Sequence, residues 1–331
     1  MIIFYNFSFI YGGQERYLED SIRYLSDYAS VGFIGSPFEN TLSNISALPP
    51  KSVVVLNGNS ALYKYLLKLP SSVFKVYVQH SNINDGQAAT WKTWVRKILL
   101  KVLLTRVDLV IRVCDNALPD FYAPNKIKTI YNGVHLPQAM TVKQCLKPLN
   151  LLMVGAINSN KNQKLAIEAL VELKECQLTL VGSGPEEKSL QDYANTLGVA
   201  ERVVWAGFHK DPTPFYQQAD FLLMLSRFEA FPYVVLEAMA QGVPVVAVPV
   251  GGVPEIIKTD ENSFLIRDYS VSALVEKIQG ITPEQYLEVS RTARQTIESG
   301  FTIAHMMQQF MTEVEKGYQQ KFGETFVKNS D

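Results

Sequence analysis

Residues 226–255 constrain the fold more than any other part of the chain. A strand-like apolar run at 220–225 leads into this segment, a helical stretch follows Pro232, Gly242 stops that helix, and a second apolar run reads at 243–248. Two continuously apolar strands joined through a helix are the building unit of a parallel sheet with crossover helices. The same segment carries two carboxylates eight positions apart, Glu229 and Glu237. Glu229 falls in the loop at the carboxyl end of the first strand, where open α/β sheets bind ligands. With a helix start near Pro232, which suits a first helical position, Glu237 lies roughly 7 Å further along the axis at about 1.5 Å per residue. The amides of the helix start point between the two carboxylates. Pro232 has no N–H, so Phe231, Tyr233 and Val234 are the expected donors.

A helix N-terminus attracts phosphate, and carboxylates accept hydrogen bonds from sugar hydroxyls. The arrangement suits a molecule with hydroxyls at both ends and phosphate in the middle, such as a nucleotide-sugar. The segment resembles the E-x7-E signature of retaining nucleotide-sugar glycosyltransferases of the GT-B fold, in particular family 4, also described as glycosyl transferases group 1. The match continues through Glu237-Ala-Met-Ala, Gly242, Pro244 and Gly251-Gly252-Val-Pro-Glu255.

The rest of the chain agrees with a two-domain α/β protein. Its 331 residues exceed what one core usually supports, and 47% of them are apolar, enough for two cores. A formal net charge of −1 gives no reason to expect a nucleic-acid partner. Cys114, Cys145 and Cys176 are few, odd in number and widely spaced, which argues against a disulfide framework and a zinc site and points to a reducing cytosol. The N-terminus, Met1-Ile-Ile-Phe-Tyr-Asn-Phe, reads as a first strand and not as a signal peptide. No run of eighteen apolar residues offers a membrane span.

Strand and helix alternate along the chain. Strands are expected at 2–4, 32–34, 52–56, 73–79, 108–113 and 128–131, a linker at 136–149, then strands at 149–154, 178–181, 203–205, 220–225 and 243–248. A tail helix is expected at about 302–322. The resemblance implies two Rossmann-like domains facing across a deep cleft. An acceptor-binding domain would span 1–140, joined by the C-terminal helix at about 303–331, and a nucleotide-sugar-binding domain would span 149–302.

The resemblance also implies roles, position by position. Gly155 ends the first strand of the second half, Lys161 precedes a helix and would meet the donor diphosphate as a point charge, and Gly182 and Gly184 form a further glycine loop. Phe208, after Gly207, marks the base-binding strand. Glu229 would hold the donor sugar, Glu237 the ribose hydroxyls, and the amides of Phe231, Tyr233 and Val234 the phosphates, with Ala230 also in the donor site. In the first half Gly12 and Gly13 resemble the loop that approaches donor and acceptor, and His80 a histidine that lines the cleft by the transferred sugar. Glu229, His80 and Lys161 are thus the expected catalytic residues. Family members commonly carry arginine directly after the first glycine; Ala156 stands there, and Arg227 is the nearest substitute in sequence.

The implied reaction is glycosyl transfer from a nucleoside diphosphate sugar to an acceptor hydroxyl with retention, in bacterial surface polysaccharide or lipid-linked glycan synthesis. The donor itself would supply the base through a phosphate oxygen, and no cofactor and no metal are expected. A covalent role for Glu229 is the other route to retention. Two rivals are a nucleotide-sugar 2-epimerase of the same fold and a two-lobed sugar receptor. The epimerase leaves the E-x7-E segment unexplained, and the receptor conflicts with the N-terminus and the cysteines.

Residues 91–106 hold five basic side chains and no acidic one. As a helix, its stripe of Trp91, Trp94, Val95, Ile98, Leu99 and Val102 is expected to pack on the sheet. The opposite face, with Lys92, Arg96, Lys97 and Lys101 around Leu100 and Leu104, would meet an anionic membrane. The protein is therefore expected in the cytoplasm, with peripheral contact to the inner face of the membrane.

Overall fold

The computed structural model describes residues 1–7, 12–36, 48–83, 91–138 and 148–326. Residues 8–11 before Gly12, 139–147 of the expected linker with Cys145, and 327–331 of the expected C-terminal segment lie outside these. The chain divides into two compact units, Met1–Gly133 with Ile303–Asp331, and Val134–Thr302.

The first unit is built on six parallel strands: β1 (Ile2–Phe7), β2 (Val31–Ser36), β3 (Val53–Asn57), β4 (Phe74–Gln79), β5 (Leu109–Arg112) and β6 (Ile127–Thr129). Their order in the sheet is β2-β1-β3-β4-β5-β6. Every residue of β3 is buried, as expected for a strand covered on both faces by crossover helices. The connecting helices are α1 (Gly13–Leu25), α2 (Asn59–Tyr65) and α3 (Trp91–Leu104).

The second unit repeats the scheme with β7 (Leu149–Val154), β8 (Cys176–Val181), β9 (Val203–Gly207), β10 (Phe221–Met224), β11 (Val245–Ala247) and β12 (Phe264–Leu265), in the order β12-β11-β10-β7-β8-β9. Its helices are α4 (Gln163–Ala169), α5 (Glu187–Thr196), α6 (Thr213–Gln218), α7 (Tyr233–Ala240), α8 (Val253–Ile256), α9 (Val271–Gly280) and α10 (Pro283–Gly300). The chain then returns to the first unit through α11 (Ile303–Phe322). The two-residue strand β12 has no counterpart among the sequence expectations, because two residues are too few to show a period.

α11 buries Met306, Met307, Phe310, Val314 and Tyr318 along one stripe. Tyr318 packs edge-on against Phe74 at 6.1 Å between ring centroids, and its hydroxyl donates to the Lys51 carbonyl at 3.1 Å. A Cβ at Gly317 would lie 2.6 Å from the Phe74 ring, so glycine is what lets the helix approach β4.

The packing face of α3 is the reverse of the sequence expectation. Trp91 is 73% and Trp94 66% exposed, and Val95, Ile98, Leu99 and Val102 are exposed with them. The buried side is Leu100, Leu103 and Leu104, which join the core with Leu62, Leu66 and Val107. The helix is apolar on two opposite sides. Counting apolar side chains selects the wider stripe, whereas the core admits only the narrow leucine ridge at i, i+3 and i+4.

Candidate active site

In the second unit the strand order reverses at β7, which lies between β8 and β10. The loops after β7 and β10 therefore leave the sheet toward opposite faces, and the crevice between them is where such sheets bind ligands. Both loops carry expected site residues.

After β7 the chain turns at Gly155, whose φ of +139° disfavours any side chain. Gly182 ends β8 at φ +146°, and a Cβ there would sit 2.0 Å from the Gly155 carbonyl oxygen. A Cβ at Gly184 would sit 2.2 Å from the Ile157 carbonyl oxygen. These two glycines thus have a packing reason. They let the two loops touch, and the Ile157 amide donates to the Ser183 carbonyl at 3.0 Å.

The 158–161 turn is then fastened to the loop after β10. Asn160 bonds Phe228 twice, donating through Nδ2 to its carbonyl at 3.1 Å and accepting at Oδ1 from its amide at 3.0 Å. The Arg227 amide donates to the Asn160 carbonyl at 2.8 Å. This clamp brings Lys161 Nζ to 2.5 Å from Glu229 Oε1, with side chains 23% and 15% exposed. From below, Gly251 supports Glu229: its φ is +54°, and a Cβ would lie 1.7 Å from the Glu229 carbonyl oxygen. The Gly252 amide donates to the Ala230 carbonyl at 2.7 Å.

α7 starts one residue later than expected, with Pro232 as the cap. Ala230, Phe231 and Tyr233 are buried and Val234 partly so, so what this stretch turns outward is backbone. With Pro232 as its cap, α7 begins four residues after Glu229, so the helix start follows Glu229 directly in the chain. One turn on, Glu237 Oε2 accepts from the buried Tyr216 hydroxyl at 2.8 Å. Phe208, 61% exposed, follows β9 at the edge of the sheet, apart from the Lys161–Glu229 pair.

Ala156 is exposed, and its carbonyl accepts from Gln163 Nε2 at 3.0 Å. Arg227 is exposed and stands near Tyr269, whose hydroxyl donates to the Ser226 carbonyl at 2.9 Å. Burial raises the Tyr269 hydroxyl pKa, and the Arg227 charge works against that rise. Sequence reasoning did not find Asn160, Tyr216 or Gln163. Their partners are 68, 21 and 7 positions away, and only the fold joins them. Among the described residues no group of three His, Cys, Asp or Glu side chains is arranged to hold a metal ion.

The first unit has its own reversal, at β1 between β2 and β3. Gly12 caps α1 and Gly13 is its first residue. Gln14 Nε2 donates to Asn6 Oδ1 and to the Asn57 carbonyl, each at 2.7 Å. Asn57 Nδ2 donates to Asn6 Oδ1 at 3.1 Å and to the Gln14 carbonyl at 3.2 Å. That orientation turns Asn57 Oδ1 to His80, 2.6 Å from Nε2. His80 therefore donates from Nε2 and leaves Nδ1 as an acceptor. Tyr17 packs edge-on against its ring at 4.9 Å. Desolvation lowers the His80 pKa from 6.5 to about 3, which keeps it neutral.

Residues 143–299 match the family of glycosyl transferases group 1. Over 214 residues the chain is 27% identical to N-acetyl-alpha-D-glucosaminyl L-malate synthase of Bacillus anthracis, an alignment covering 60% of this chain and 56% of that protein. Over 182 residues it is 28% identical to the N-acetylgalactosamine-N,N'-diacetylbacillosaminyl-diphospho-undecaprenol 4-alpha-N-acetylgalactosaminyltransferase of Campylobacter jejuni, covering 52% of this chain and 50% of that one. The chain thus spans about half the length of these curated relatives. Among solved structures, HepE of Anabaena in complex with UDP-glucose superposes with a TM-score of 0.77 at 20% identity, over 95% of this chain and 99% of that chain. The two six-stranded parallel sheets and the superposition together give this chain the GT-B fold, and its similarity to glycosyl transferases group 1 lies in residues 143–299, in the second unit.

Proposed function

We propose that the protein transfers a glycosyl group from a nucleoside diphosphate sugar to an acceptor hydroxyl with retention at the anomeric carbon. The observation that carries this reading is the Lys161–Glu229 pair, set beside the start of α7 where the strand order reverses. Glu229 would accept hydrogen bonds from donor-sugar hydroxyls. Lys161 would turn from Glu229 to the diphosphate, and with the α7 amides it would stabilise the charge that develops on the leaving group. Glu237, steadied by Tyr216, would hold the ribose hydroxyls. Phe208 keeps the base-side role that the resemblance gives it, and Gly12, Gly13 and His80 keep theirs in the first unit. The reading assigns no step to a metal or cofactor.

The complex of HepE with UDP-glucose supports a UDP-sugar as donor. The undecaprenol-linked substrate in the name of the Campylobacter enzyme supports a lipid-linked glycan as acceptor, and relatives named for lipopolysaccharide core and colanic acid biosynthesis support a place in bacterial surface polysaccharide synthesis. Incubation with a panel of nucleotide-sugars in the absence of acceptor tests the reaction type. Slow release of free sugar with its anomeric configuration kept is the expected result. A 2-epimer product, the outcome for an epimerase, would overturn the proposal. Thermal shift with UDP, GDP, ADP and CDP identifies the base, since a ligand at 100 times its dissociation constant adds about 2.7 kcal/mol.

A further inference from the structure

Seen along its axis at about 100° per residue, α3 has three sectors. The leucine ridge of Leu100, Leu103 and Leu104 anchors it in the core. Directly opposite, Trp91, Trp94, Val95, Ile98, Leu99 and Val102 form a stripe open to solvent. Between the two run the basic residues, Lys92 and Arg96 on one edge and Lys97 and Lys101 on the other. We propose that this exposed stripe with its two basic edges is a docking surface for an anionic lipid bilayer. The helix would lie in the interface plane with the stripe toward the acyl chains.

Charge complementarity selects this occupant. The whole chain has 31 basic and 32 acidic residues, yet 91–106 has five basic and no acidic one. Basic residues on both flanks of an apolar stripe can carry their stems along the apolar surface while their charges reach the headgroups. Two tryptophans sit at one end of the stripe, and indole favours the membrane–water boundary. The patch continues beyond the helix: Phe121 is 59% exposed, and Lys101 Nζ lies 5.4 Å from its ring centroid. A second copy of the chain suits the face less well, because two such helices brought together would set basic edge against basic edge. No described helix is long and apolar enough to cross a membrane, and α3 at 14 residues would extend only about 20 Å, so the contact is one of lying on the surface.

The test is co-sedimentation of the full chain with phosphatidylcholine vesicles, alone or with about one third phosphatidylglycerol, which supplies the anionic charge that draws basic segments. Neither donor nor acceptor is present, so the outcome is independent of the transfer reading. Binding to the anionic vesicles is expected at low salt, weakening as salt rises, with a blue shift of tryptophan emission. The Trp94→Glu, Ile98→Glu double variant should bind at least about tenfold more weakly with an unchanged melting temperature, since both side chains are exposed. Each charge removed in Lys92→Gln, Arg96→Gln and Lys101→Gln should cost roughly fivefold. Wild type that stays in the supernatant at low salt overturns the proposal. So does equal binding by the double variant, equal binding to neutral vesicles, or a dimer in solution that the double variant dissolves.

Discussion

Lys161 and Glu229 stand 68 positions apart in sequence and meet at 2.5 Å between Nζ and Oε1. Neither side chain is fully buried, so the pair is worth less than a fully desolvated one, yet breaking it leaves a charge facing a part-closed crevice. The pair gives each residue a partner, so under the proposed function a diphosphate would compete with Glu229 for Lys161. Lys161→Ala should weaken binding of the nucleoside diphosphate by roughly tenfold to a hundredfold, as for hydrogen bonds to charged groups of about 1.5–3 kcal/mol. Titration calorimetry reads the loss directly. Adding Ala156→Arg should restore part of the affinity, because position 156 is exposed on the same turn. An unchanged affinity in Lys161→Ala would assign the diphosphate to another cation, with Arg227 the first to examine.

Glu229→Gln separates sugar from nucleotide. The isosteric amide keeps the shape of the loop but loses the charge, so transfer should fall by at least about a hundredfold, as when a preorganised electrostatic contact is removed. Affinity for the free nucleoside diphosphate should stay within about threefold. Full turnover in this variant would remove Glu229 from the donor sugar.

The strands were legible because apolar runs bounded by glycine and proline show in any sheet covered on both faces. β3 and β7 fall within a residue or so of their sequence limits. Glu229, Glu237 and Lys161 were legible as motif positions, but their partners were not. Asn160 and Tyr216 act through long-range hydrogen bonds, and such contacts leave no period in the sequence. α3 misled because its apolar residues fill two sides, and composition alone cannot say which side the sheet will take.

Tyr216→Phe tests whether Glu237 must be aimed. The hydroxyl at 2.8 Å is a neutral donor to a carboxylate, so its loss should weaken nucleotide binding about threefold to tenfold. If Glu237 holds the ribose, Glu237→Ala and a 2′-deoxy nucleotide should each weaken binding, and combining them should add little. Full additivity would detach Glu237 from that hydroxyl.

Two glycines with positive φ give expectations of different size. Gly182→Ala puts a Cβ 2.0 Å from a backbone oxygen at φ +146°, so it should destabilise the protein by on the order of 3 kcal/mol or more. Gly207→Ala, at φ +74° with nothing within 4 Å, should cost only about 1 kcal/mol. Urea unfolding of the two variants, followed by circular dichroism, measures both. Equal costs would mean that the loops at 155–157 and 182–184 can move apart without penalty.

His80 makes stability depend on pH in a defined window. The folded chain takes up a proton there only near pH 3, whereas the unfolded chain does so near 6.5. Below pH 6.5 the unfolded state therefore binds more protons, and the contribution of neutral His80 to stability is lost progressively down to about pH 3. The ring is only partly buried, which makes about 2 kcal/mol at pH 5 the ceiling of the effect. His80→Gln, which can still donate to Asn57 but does not titrate, should flatten the stability profile between pH 6.5 and 5 relative to wild type. Asn57→Asp should act the other way. A carboxylate 2.6 Å from Nε2 would favour imidazolium, raise the His80 pKa and move the loss to lower stability at higher pH. Thermal unfolding of the three proteins across pH 5–8 gives the comparison, and parallel profiles for wild type and His80→Gln would show that His80 does not titrate in this way.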